Sequence, residues 1–176
     1  MPLPLGHTAV GLAAYELSMN HNSERFRLKT IIFLTVLANI PDFDIIVGLF
    51  IKCNGNAFHR GPSHSIIFAL IAGFLASRAW KLSSQIPRIN FGICFLIILS
   101  HVLADFFFTP SPVSFFWPFE VSWSSGHSSW GDVLNSVFFR GFQDAGIIIG
   151  STILIICLRM IKTYRQKLSE VKIRFS

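Results

Sequence analysis

The segment LKTIIFLTVLANIPDFDIIVGLFI, residues 28–51, constrains the fold more than any other part of the chain. It is long enough to cross a bilayer, whose hydrocarbon core takes about 20 apolar helical residues, yet it carries Pro41, Asp42 and Asp44. Proline has no amide hydrogen to donate and disfavours helix at the residue before it, so a break is expected at Ile40. Irregular backbone survives at membrane depth only when it is buried in protein or lines a wet cavity. An unpaired aspartate there costs at least about 2.5–3.5 kcal/mol on insertion scales. The segment therefore needs helical neighbours and positive partners.

The neighbours are present. Residues 91–108 and 145–161 are clean apolar runs of spanning length, residues 65–80 are shorter, and residues 7–19 are short and only moderately apolar. Hydrophobic residues make up 52% of the chain and charged ones 14%, against about 25% charge in a soluble domain. The expected fold is all-α: a membrane-embedded bundle of about four to five apolar helices. Residues 1–162 form a single domain in this reading, with residues 163–176 as a basic tail. The start of the chain lacks a basic stretch before its apolar one, so no cleavable signal peptide is expected. Cys53, Cys94 and Cys157 show no CxxC spacing, which points away from a disulfide framework or a thiolate metal site, and Cys94 and Cys157 are expected to be buried.

A net charge of +6 would suit nucleic acid, but the basic residues flank the apolar segments. Arg25, Arg27 and Lys29 precede the second segment, Arg78, Lys81 and Arg88 join the third to the fourth, and six more cluster at and after the end of the fifth. These are twelve of the fifteen, and alternating segments leave only Lys52, Arg60 and Arg140 on the opposite side. The positive-inside rule then puts the C-terminus in the cytoplasm and residues 39–65 outside it. Trp117, Trp123 and Trp130 would mark the outer interface and Trp80 the inner one.

Nearly all the suspicious polar residues map to that outer face. In HVLAD, His101 and Asp105 are spaced i and i+4, on one helical face. They suit two metal ligands, a carboxylate orienting a ligand imidazole, or a hydrogen bond holding two helices together. Asp42 and Asp44 stand beside the helix break, where Asp42 could instead cap the next helix and Asp44 favour its positive end. HRGPSHS supplies His59, Arg60 and His64, with a Gly61–Pro62 turn able to aim both imidazoles inward and Ser63 expected to cap the third helix. In a soluble chain the same loop would read as surface histidines beside a phosphate-binding arginine. His7 precedes the first helix on the same face. His21 is read as solvated, His127 as a loop residue able to meet substrate or metal, and Asp132 and Asp144 as caps. The set His7, Asp42, Asp44, His59, His64, His101 and Asp105 mixes nitrogen and oxygen donors without thiolate, which fits Zn²⁺, Mn²⁺ or Fe²⁺, as one ion or a carboxylate-bridged pair.

The ordered string HTAVG, NIPDFD, HRGPSHS, HVLAD and WPF resembles the YdjM-like family of LexA-regulated, inner-membrane-bound proteins described as metal-dependent hydrolases. The likeness runs from about residue 5 to residue 120, and it implies those same seven residues as the metal site. The His/Asp pattern is more distantly similar to the zinc phospholipase C and single-strand nuclease superfamily. After HVLAD the chain departs from the family pattern: FFFTPSPVSFFWPF replaces a glycine-containing turn, which bears on the mouth of the site.

The function expected is metal-dependent hydrolysis of a phosphoester, lipid-linked or amphipathic, in the inner membrane. Metal-activated water would attack, Asp42 or Asp44 would bridge metals or orient that water, and Arg60 would stabilise negative charge. Two rivals use the same residues: transport of metal ions or protons, marked by polar groups spread through the membrane depth, and a closed structural metal site without turnover. No nucleic-acid partner is expected.

Overall fold

The computed structural model describes residues 4–19, 27–109, 111–119 and 143–174. His21, His127, Trp123, Trp130, Asp132, Arg25 and Arg140 lie outside them. The described chain is built of helices: α1 (Pro4–Ser18), α2 (Leu28–Asn39), α3 (Phe43–Lys52), α4 (Ile66–Arg78), α5 (Phe91–Phe108) and α6 (Gln143–Arg174). Among the described residues, three stretches are long and apolar enough to cross a membrane: Leu28–Lys52, Phe91–Phe108 and Asp144–Ser169. The first and third segments of the sequence are also helical, but α1 has 15 residues and α4 has 13. At 1.5 Å per residue these extend only about 20 Å, short of the roughly 30 Å hydrocarbon core.

Pro41 breaks the second segment as expected, without ending it. Ile40–Asp42 form a 3-10 turn and the α-helix resumes at Phe43. The C-terminal stretch of the chain continues α6 without a break at residue 162, through Arg174.

Helix α5 lies at the centre, packed against α1, α2 and α4, while α6 packs on α1. Leu34, Leu37, Ala38, Ala69, Cys94, Ile97 and Ile98 fill the contact. Two glycines set its closeness. A Cβ at Gly11 would come within 2.9 Å of the Ala38 Cβ, and one at Gly73 within 2.9 Å of the Phe95 nitrogen. Cys94 is buried as expected, but Cys157 is exposed, because α6 leans on one neighbour and turns most of its surface outward.

The bundle has two chemically different ends. The start of α1, the end of α2, the start of α4 and the latter part of α5 meet at one end and carry His7, Asp42, His64, His101 and Asp105. The other end carries Arg27, Lys29, Arg78, Lys81 and Arg88. There Glu16 near the end of α1 accepts from Arg159 at 3.2 Å and from Lys162 at 3.2 Å, tying α6 to the bundle.

The Gly11 contact lies one turn from His7 on α1 and one turn from His101 on α5, where Ile97 forms its other wall at 3.3 Å. Gly11→Val is expected to destabilise the protein by about 1–3 kcal/mol through overpacking. A lowered Tm in detergent, set against Gly146→Val on α6, where nothing lies within 4 Å of the added Cβ, checks this.

Candidate metal centre

Each side chain of the polar end is delivered by a distinct local device. Asp42 ends the 3-10 turn, and although it occupies the cap position of α3 its carboxylate makes no capping bond. It faces the imidazoles instead: its Oδ1 lies 3.3 Å from His101 Nε2, 3.6 Å from His64 Nε2 and 4.0 Å from His59 Nδ1. His101 is fixed from α2, where the Ala38 carbonyl accepts from its Nδ1 at 2.7 Å. A carbonyl can only accept, so the proton of a neutral His101 sits on Nδ1 and Nε2 presents a lone pair.

The i, i+4 pair does not bond to itself. His101 stacks on His7, with ring centroids 3.7 Å apart. Asp105 approaches His7 Nε2 at 3.5 Å, His64 Nε2 at 3.4 Å and Arg60 Nε at 3.3 Å. Thus the two residues share a face but serve different neighbours.

The HRGPSHS loop is organised by Asp44. Its carboxylate accepts from His59 Nδ1 at 3.0 Å, from the Arg60 amide at 3.3 Å and from the Ser63 hydroxyl, and it lies 3.3 Å from His64 Nδ1. Arg60 takes a left-handed conformation, φ 64°, to make that turn, a backbone state that non-glycine residues enter at a cost. Ser63 therefore does not cap the next helix. Pro62–His64 wind a 3-10 turn first, and the cap of α4 is Ser65, whose hydroxyl accepts from the Phe68 amide at 3.1 Å. With its Nδ1 turned to Asp44, His64 points Nε2 at Asp42, Asp105 and His101, while His59 brings its Nδ1 to Asp44 and within 4.0 Å of Asp42 Oδ1. Residues 111–119 strap this loop from the far side, through Ser114 N–H to the Arg60 carbonyl at 3.2 Å and Ile66 N–H to the Phe115 carbonyl at 3.0 Å.

Among the described residues two groups of donors result: Asp42, His59, His64 and Asp105, and His7, Asp42 and His101, each with donor atoms within 4.8 Å of one another. Asp42 belongs to both, the arrangement a bridging carboxylate has. Asp44 belongs to neither, being occupied in holding the imidazoles. The seven residues singled out in the sequence thus converge, six as donors facing inward and one behind them. Sequence reading passed over the Ala38 carbonyl, the Ser63 bond to Asp44 and the strap. Only Ser63, beside the turn-forming Pro62, left a trace there.

The donor set fits a divalent cation on its own chemistry. Asp42 Oδ1, both Asp105 oxygens, His59 Nε2 and both His7 nitrogens are buried without a hydrogen bond, whereas buried polar atoms are normally paired. His64 Nε2 and His101 Nε2 face each other at 3.3 Å. Lone pairs and carboxylates aimed at common points need a proton or a cation between them. Burial favours a neutral His64, but hydrogen bonding to Asp105, Asp42 and Asp44 outweighs it and raises its pKa to about 10. Hydrogen bonding to three carboxylates thus favours the protonated form of His64.

All seven residues fall inside a match to the family model of the YdjM inner membrane protein, which covers residues 1–168. No curated protein and no solved structure matches the chain. A family match over nearly the whole length, together with apolar spanning helices and a buried His/Asp cluster at one end, means that this chain belongs to the YdjM inner membrane protein family.

Proposed function

We propose that the chain is an integral-membrane, metal-dependent hydrolase of phosphoesters. The observation that carries this reading is Asp42, whose carboxylate is common to two groups of donors in which Asp42 Oδ1, both Asp105 oxygens and both His7 nitrogens are buried without a hydrogen bond. A divalent transition metal, zinc above all, supplies Lewis acidity when bound and lowers the pKa of a water toward about 7.

The chain's own residues do the rest. Asp42, His59, His64 and Asp105 would hold one cation, and His7, Asp42 and His101 a second. Asp44 holds the Nδ1 sides of His59 and His64 and so keeps Nε2 of His64 turned inward, the role outer carboxylates take around ligand histidines. Arg60 uses Nε on Asp105, while its terminal nitrogens have no partner among the described residues. That leaves a planar fork suited to phosphate oxygens. Exposed Phe107, Phe108, Phe116 and Trp117 beside the strap favour an amphipathic or lipid-linked substrate.

A transport path would need polar groups continuing through the bundle. Beyond His7 and His101 the interior is instead Leu34, Leu37, Ile97 and Ile98, which favours hydrolysis. Basic residues at the end away from the cluster support a cytoplasmic position for that end and an extracytoplasmic one for the cluster.

Purified protein is expected to carry transition metal that Asp42→Ala removes, and to cleave phospholipid or isoprenoid-phosphate esters only when metal is present. Elemental analysis with a chelation series on that substrate panel tests both; turnover that persists without metal would reject the mechanism. Because metal must displace the His64 proton, affinity is expected to fall as pH drops below about 10. Proton release on metal titration, read calorimetrically in buffers of different ionisation enthalpy, checks the sign. A reporter fused after Ser176 should report from the cytoplasm, and a signal from the opposite side would overturn the orientation.

A further inference from the structure

The end of the bundle away from the cluster holds a cavity of ≈ 720 Å³ between the ends of α1 and α4 and the start of α5. Its size falls within the range of small-ligand sites, about 300–1,000 Å³. Three cations rim it, Arg78, Lys81 and Arg88, and they gather about one aromatic edge. Arg88 lies over the Trp80 ring at 5.0 Å, Lys81 over the same ring at 6.0 Å, and Arg78 over Phe74 at 4.9 Å. None of the three has a carboxylate partner among the described residues, in contrast to Arg159 and Lys162 nearby, which share Glu16. Below the rim the walls turn apolar, with Met19, Phe74 and Ile93.

We infer that this cavity binds an anionic phospholipid, with the headgroup phosphate among Arg78, Lys81 and Arg88 and the first acyl carbons along Phe74 and Ile93. Charge and polarity fix the occupant. Three cations without a carboxylate partner among the described residues, over an apolar floor, match a ligand that is anionic at one end and hydrocarbon at the other. The rim stands at the basic end of a bundle with spanning helices, where headgroups lie, and basic pockets between membrane helices hold such headgroups. A free phosphate would satisfy the cations but leave the apolar walls without a partner. Indole and guanidinium groups are at home in this interfacial layer. The site is separate from the His/Asp cluster and does not depend on any activity there.

The test uses the full chain in neutral detergent, with dioleoyl-phosphatidylglycerol, dioleoyl-phosphatidylcholine and inorganic phosphate as probes and native mass spectrometry as the readout. Phosphatidylglycerol should bind about tenfold or more tightly than phosphatidylcholine, and more weakly as salt rises. The combined variant Arg78→Gln, Lys81→Gln, Arg88→Gln should bring the two lipids to near equality. Lys81→Glu alone changes an exposed side chain, so it preserves the fold, and it should lower the preference severalfold. Equal binding of both lipids by the unaltered chain, or a preference that survives Lys81→Glu, would overturn the inference. Displacement of the lipid by inorganic phosphate at matching concentration would show a phosphate site and reject the lipid assignment.

Discussion

The constraint on which the structure depends is the crowding of negative and lone-pair groups around Asp42. Three imidazoles stand within 3.3–4.0 Å of one carboxylate oxygen, and the Asp105 carboxylate closes the cluster from the side of α5. In an interior of low effective dielectric such groups repel or stay unpaired unless positive charge joins them. The chain offers two internal sources, the Arg60 guanidinium at 3.3 Å from Asp105 and a proton on His64. Both offset the negative charge of the cluster from within the protein.

Pro41 is where the backbone makes room for this. In an unbroken helix the Ala38 carbonyl would accept from the Asp42 amide; a 3-10 turn shifts pairing by one residue, and that oxygen receives His101 instead. The same turn swings Asp42 off the capping role and into the cluster. One proline therefore frees the carbonyl that orients His101 and sets the position of Asp42. The close approach of Gly11 to Ala38 keeps His7 stacked on His101 one turn away. The break in a spanning segment, a defect by helix propensity alone, is what the site is made from.

The composition of the site was legible from residue type, because aspartates and histidines inside apolar segments have few other reasons to be there. Their division of labour was not. Asp42 and Asp44 look alike in NIPDFD, and only the fold of the HRGPSHS loop shows that one faces the imidazole cluster and the other holds the Nδ1 sides of His59 and His64. Ser63 and Ser65 are equally good caps by type. The choice between them follows from a 3-10 turn that the sequence signalled only through Pro62. Helix α4 looked nearly long enough to span because residues 79–81, which continue it as 3-10 structure, are compositionally continuous with it. Cys157 was misplaced because an apolar segment in a membrane chain is as easily turned to lipid as to protein.

The short helices α1 and α4 have a consequence for where the cluster lies. Helix α5 runs seven residues, about 10 Å, past His101 to Phe108, so the cluster stands within the length of a spanning helix and not beyond its end. His7 opens the first turns of α1, and α4 starts just after His64, so both helices begin near this level. The space they leave beside the end of α5 is filled by irregular backbone, the loop through His59 and Arg60 and the strap from 111 to 119. Such backbone needs internal partners at that depth. It finds them in the Asp44 carboxylate, in the Arg60 carbonyl bonded to Ser114, and in the Phe115 carbonyl bonded to Ile66. Asp44, which satisfies the loop through the Arg60 amide, is therefore also the residue that holds His59 and His64.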